Sequence, residues 1–128
     1  MSPKAGAVLY AKNIARISTF YSEVADLRII HSEAGHVVLE SPLLQLVVVA
    51  IPETFAVAVE VESPPIRREN TPITLVFFIP SISAARAVAA QFGGELNPVE
   101  REWKFQDCRV CDGHDPEGNV VQFRENAS

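Results

Sequence analysis

The chain has 128 residues, 48% hydrophobic and 21% charged, with a formal net charge of −5. That balance suits one soluble globular domain, residues 1–128, with a sizeable core, and it argues against disorder. It also argues against nucleic acid, because no basic cluster exceeds Arg67-Arg68 and phosphate binding needs a concentrated positive face. No apolar run approaches the roughly 20 residues of a membrane helix, so no membrane partner is expected.

The opening MSPKAGAVLYAKN has no continuous apolar segment, and the chain carries two cysteines. Both features point to a reduced, cytoplasmic setting. A strand is predicted from Ala5 to Ala11. Asn13 then offers a capping side chain to NIARISTFYSEVADL, where Ile14, Ile17, Phe20, Tyr21 and Val24 fall near helical spacing. RIIHS, the turn residues EAG, and HVVLE read as a hairpin, and LLQLVVVAI as a further β-branched strand. The first half is therefore βαβββ, over about residues 5–51.

Residues 52–72 form a connector rich in proline and charge, within which FAVAVEVE alternates well enough for an extra edge strand. From about residue 73 to 125 the plan restarts. ITLVFFI is a strand, Ser81 or Ser83 a helix cap, ISAARAVAAQF a helix, and Gly93-Gly94 its stop. ELNPV, a strand across FQDCRVCDG, the turn DPEGN, and VVQFRE complete a second βαβββ unit.

Superposing the halves places Asn13 over Ser81 and Gln45 over Gln122. Alternation then sorts the faces. Gln122 shares a face with Val120 and Arg124, while Val121 and Phe123 lie opposite, under a helix. Gln45, Val47 and Val49 face away from Leu44, Leu46 and Val48; Val8 and Tyr10 form one set, Thr74, Val76 and Phe78 its counterpart. Two arrangements satisfy this pattern: a cavity lined by both halves, or two sheets packed together with polar groups at the rim.

The strand leading into NIARISTFY, the two βαβββ halves and the terminal DPEGNVVQFRE together resemble the vicinal oxygen chelate superfamily of glyoxalases, extradiol dioxygenases and bleomycin- and fosfomycin-resistance proteins. The resemblance spans nearly the whole chain. It implies an α+β fold in which two βαβββ modules form curled mixed sheets around a shared cleft, commonly in a homodimer. Metal-binding members take one ligand from the first and one from the last strand of each half. Those positions fall here near Gly6, Gln45, Thr74 and Gln122. None is His, Asp or Glu, and two neutral amides do not offset the lost hydration of a divalent ion. No metal is expected there, and no cofactor.

Other motifs carry less. Cys108, Cys111 and His114 have half of a zinc spacing, but residues three apart on a strand diverge. His31 and His36 flank the hairpin turn and read as a surface pair. DGHDPEGN lacks the oxygen ligands of a calcium loop. Tyr10, Trp103 and Phe105 suit either stacking on a ligand or packing in the core, and Arg67 and Arg68 read as solvated. The expected ligand pocket comprises Tyr10, Gln45, Val47, Thr74, Phe78, Trp103 and Gln122. The expected function is metal-independent small-molecule binding by a homodimer; the alternative is a metal-dependent lyase, isomerase or dioxygenase.

Overall fold

The computed structural model describes residues 3–126. Strand β1 (Ala5–Ala11) leads through Asn13 into α1 (Ile14–Val24), and the Asn13 side chain accepts a hydrogen bond from the Arg16 amide at 3.1 Å. Ile17, Phe20, Tyr21 and Val24 form the buried stripe of that helix. β2 (Arg28–Glu33), β3 (His36–Glu40) and β4 (Leu44–Ala50) follow. They assemble in the order β1-β4-β3-β2, with β1 parallel to β4 and the other pairs antiparallel.

The second module repeats this plan with one addition. β5 (Leu75–Phe78) precedes α3 (Ile82–Gln91), whose cap is Ser81, accepting from the Ala84 amide at 3.1 Å. Gly93, at φ +90, follows the helix in the left-handed region that glycine tolerates. The strand expected across Phe105–Gly113 is instead a hairpin. β7 (Trp103–Phe105) turns at Gln106-Asp107 into β8 (Cys108–His114), with Gln106 at φ 54. Only Glu95–Leu96 of the expected ELNPV strand pairs, as β6. β9 (Val120–Asn126) completes a five-stranded sheet ordered β5-β9-β8-β6, with β7 also on β8.

The connector differs from expectation. FAVAVEVE forms no strand. A short helix α2 (Glu53–Ala56) begins at Pro52, and the Ala58 and Val59 amides bond back to Phe55 and Ala56. Local turns consume the backbone groups that a sheet edge would have needed.

One core joins the modules. Ile17, Phe20, Leu39, Leu46, Val48, Val121 and Phe123 are wholly buried within it. Tyr21 meets Phe20 edge-on at 5.1 Å and reaches Phe77 of the second module at 5.7 Å. Each sheet therefore has a helix-covered face and an open one.

The DPEGN turn fastens this assembly. Asp115 is fully buried and accepts from the Tyr21 hydroxyl (2.8 Å), the Glu117 and Asn119 amides (2.9 and 3.1 Å) and the Asn119 side chain (2.9 Å). Glu117 in turn accepts from the Lys12 and Asn13 amides just ahead of α1, at 2.8 and 2.7 Å. A carboxylate there also complements the helix dipole. Gly118, at φ +83, lies against the connector: a side chain would meet the Ile66 carbonyl at 2.0 Å.

Candidate functional site

The site is built on the open faces, and the strand register defines them. On the first sheet Gly6, Gln45 and Glu40 stand in one row, Val8, Val47 and Val38 in the next, and Tyr10, Val49 and His36 in a third. Their sequence neighbours Val37, Leu39, Leu46 and Val48 are buried beneath the helix. Gln45 donates from Nε2 to Glu40 Oε2 at 2.9 Å. Val8 and Tyr10 are more than half exposed, at 59% and 58%.

On the second sheet Val76, Gln122 and Asp112 form one row, and Phe78, Arg124, Val110 and Trp103 the next. Gln122 donates from Nε2 to Asp112 Oδ1 at 3.0 Å and accepts from Arg124 Nε at 2.9 Å. Both ends of this amide are satisfied by neighbours, which meets the requirement a half-buried amide imposes. The Arg124 guanidinium lies 4.9 Å from the Phe105 ring centre and 5.9 Å from that of Phe78. A cation between two aromatic faces is held by their quadrupoles. Val110, opposite Trp103 and Arg124, is wholly buried although it lies on the open side.

Of the pocket residues expected from sequence, Tyr10, Gln45 and Val47 share the first open face, and Phe78, Trp103 and Gln122 share the second. Thr74 precedes β5 and is exposed; the residue directly across from Gln122 is Val76. Neither glutamine lines either of two sizeable clefts among the described residues. One, of about 460 Å³, runs between α1 and α3 past Arg16, Thr19 and Phe92. The other, of about 480 Å³, opens beside Asp26, Arg28 and Glu40. The glutamine-bearing faces are thus presented to solvent by a single chain.

Sequence reasoning did not bring Glu40 or Asp112 to these faces, and it placed Arg124 beside Gln122 without including it among the pocket residues. The signal for Glu40 was available, since a tight turn between Glu40 and Leu44 brings it opposite Gln45. Asp112 follows likewise from counting back across the DPEGN turn from Gln122.

The other candidate groups separate. Cys108 meets Asn126 on the open side, whereas Cys111 is buried on the helix side against Arg86 and the Asn97 carbonyl. Burial pushes the Cys111 thiol up, against the opposing pull of Arg86. His114 is buried, with Nδ1 3.0 Å from the Asp115 carbonyl. Burial also raises the Asp115 carboxyl above its ordinary range, outweighing the hydrogen bonds it accepts, and raises Tyr21 further from titration.

At the four metal positions implied by the sequence resemblance, the donor set does not fit a metal. Gly6 has no side chain, Thr74 is exposed outside the sheet, and both glutamines are bound to carboxylates of their own face. Neither a family model nor a curated protein matches the sequence. Solved structures do resemble the fold. A glyoxalase/bleomycin resistance protein/dioxygenase family enzyme from Burkholderia phytofirmans PsJN is 17% identical with a TM-score of 0.70, over 98% of this chain and 99% of that one. The fosfomycin resistance protein FosX from Listeria monocytogenes is 15% identical with a TM-score of 0.66, over 98% and 94%. The bleomycin resistance determinant encoded on transposon Tn5 is 14% identical with a TM-score of 0.61, over 99% and 100%.

By architecture this is an α+β protein of paired βαβββ modules. Its fold is the one these glyoxalase/bleomycin resistance and fosfomycin resistance structures share.

Proposed function

We propose that the protein binds a small molecule in a cleft formed by its open sheet faces, without a metal ion at the cleft centre. The observation that carries this reading is the state of Gln45 and Gln122. Each occupies a position where a metal-dependent relative would place a ligand, and each is a neutral amide donating to an adjacent carboxylate. Around them lie Val8, Tyr10, Val47, Phe78 and Trp103, an apolar and aromatic lining of the kind that takes up organic ligands. Arg124, flanked by Phe78 and Phe105, favours a planar ligand with a carbonyl or anionic group.

Support for a homodimer comes from the exposure of those same side chains. Val8, Tyr10 and Phe78, at 59%, 58% and 64%, leave apolar surface in water that a second copy would cover. The edges at β1, β2 and β5 are likewise open to pairing. A cytoplasmic setting fits the two thiols, which form no disulfide. No described helix is long and apolar enough to cross a membrane.

Thermal-shift screening of small aromatic and dicarbonyl compounds tests the binding function. The expected result is a compound that raises the melting temperature, with the rise diminished in Gln122→Ala. A divalent ion at one per chain, lost on replacing Gln45 and Gln122 together, would overturn the metal-free reading and favour the metal-dependent alternative. Light scattering at micromolar concentration is expected to give twice the mass of one chain; a monomer would contradict the shared cleft.

A further inference from the structure

We infer that the tip of the β2–β3 hairpin is a binding site for a divalent transition-metal ion of the zinc class, with His31, Glu33 and His36 as its protein ligands. The site begins in the sequence HSEAGH. Glu33 and His36 stand directly opposite each other across the two-residue turn Ala34-Gly35, so their side chains share a face. His31 is two residues before Glu33 on the same strand, and period-2 geometry puts it on that face as well.

A β-bulge decides which face this is. Arg28 pairs with Glu40 and Ile29 with Leu39, but the register then shifts, and His31 rather than Ile30 pairs with Val38. Strict alternation would have turned His31 and Glu33 to the side of Ile29 and buried Leu39, under α1. The extra residue reverses that parity. All three ligands consequently project from the open face, where Val38 and His36 lie.

The side chains are already gathered. His31 Nε2 is 3.1 Å from Glu33 Oε1, and His36 Nδ1 is 3.8 Å from Glu33 Oε2. The imidazole centres are 5.6 Å apart, and one ligand atom from each residue falls within 4.8 Å of the others. Ligands of a tetrahedral zinc ion, bound at about 2.0–2.1 Å, lie roughly 3.4 Å from one another. Small rotations of three partly exposed side chains close that gap. Two imidazoles with one carboxylate select zinc, nickel or copper over calcium and magnesium, which prefer oxygen alone.

With three protein ligands the fourth position stays open. Val49 separates His36 from Tyr10 in the same cross-strand row, about 10 Å across two strand spacings. The position is distinct from the cleft centre, since His36 and Glu40 are four residues apart on β3, about 13 Å. The inference is independent of the proposed small-molecule function.

The test is calorimetric titration of the tag-free, chelator-stripped full chain with zinc, and of the same protein with cobalt(II), followed by visible absorption. One ion per chain is expected, with the intense visible bands of tetrahedral cobalt. His31→Ala and His36→Ala should each weaken zinc by at least about tenfold, since even outer-shell partners are worth 10–100-fold. Glu33→Gln should also weaken it, while Gln45→Ala and Gln122→Ala leave it unchanged. Circular dichroism checks that each variant is folded. Absence of saturable binding, binding that survives the His31→Ala/His36→Ala double substitution, or an unchanged affinity in Glu33→Gln would overturn the assignment.

Discussion

The two sheets share a strand plan but distribute their polar groups differently. On the first, Gln45 and Glu40 form an isolated pair beside aliphatic Val8 and Val47, and the histidines lie apart at the hairpin tip. On the second, Asp112, Gln122 and Arg124 form a continuous ladder that ends between two aromatic rings. The helix-covered faces, by contrast, are alike: Leu46 and Val48 in one, Val121 and Phe123 in the other, all wholly buried. The two modules are alike on the side that folds and differ on the side that meets solvent. Packing constrains a buried face to a narrow set of shapes, whereas an open face loses little stability when its residues change.

Two substitutions sharpen that contrast. The largest effect is expected at the fastening between modules. Asp115→Asn replaces an acceptor of four hydrogen bonds with a group that must turn a donor toward the Tyr21 hydroxyl or an amide. Urea denaturation at neutral pH should show a loss of about 2 kcal/mol. The same variant should change the pH response. Burial raises the Asp115 pKa, so the folded chain holds that proton to higher pH than the unfolded chain does. The associated stability is full below the ordinary carboxyl pKa and is lost as pH rises through the raised one. Removing the group should flatten the decline across that window; an unaltered slope would mean that Asp115 does not titrate there.

A smaller effect is expected on the second open face. Arg124→Ala removes two cation–π contacts and one hydrogen bond at a partly solvated position, and should cost under about 1 kcal/mol of folding stability. Its ligand affinity should fall further than its stability. A stability loss comparable to that of Asp115→Asn would place Arg124 in the folding framework instead.

The sequence carried the paired βαβββ order because Asn13 and Ser81, both short hydrogen-bonding residues, begin the two helices, and strict alternation marked the buried strand faces. It misled where alternation lacked a partner strand, as in FAVAVEVE, and where a tight turn was hidden among polar residues, as at Gln106-Asp107. The site was harder to read. Parity places Gln45 and Gln122 on one side of their strands but says nothing of cross-strand neighbours, so the carboxylates that occupy their amides went unseen. The bulge at Ile30 was equally silent, because a one-residue shift in pairing leaves no mark on composition, yet it turns His31 to the open face.

The division between folding faces and the proposed binding faces is tested most directly at two adjacent residues of β9. Val121 is wholly buried under the helix, and Gln122 belongs to the open face. Stability by urea denaturation and affinity by calorimetry, using a compound from the thermal-shift screen, should be measured for both alanine variants. Val121→Ala is expected to lose about 2 kcal/mol of stability with affinity nearly unchanged. Gln122→Ala is expected to keep its stability within about 0.5 kcal/mol and to bind roughly 5- to 30-fold more weakly, the loss of about 1–2 kcal/mol that such a hydrogen bond carries. The reverse pattern, with Val121→Ala losing the ligand and Gln122→Ala losing the fold, would contradict the account at its root.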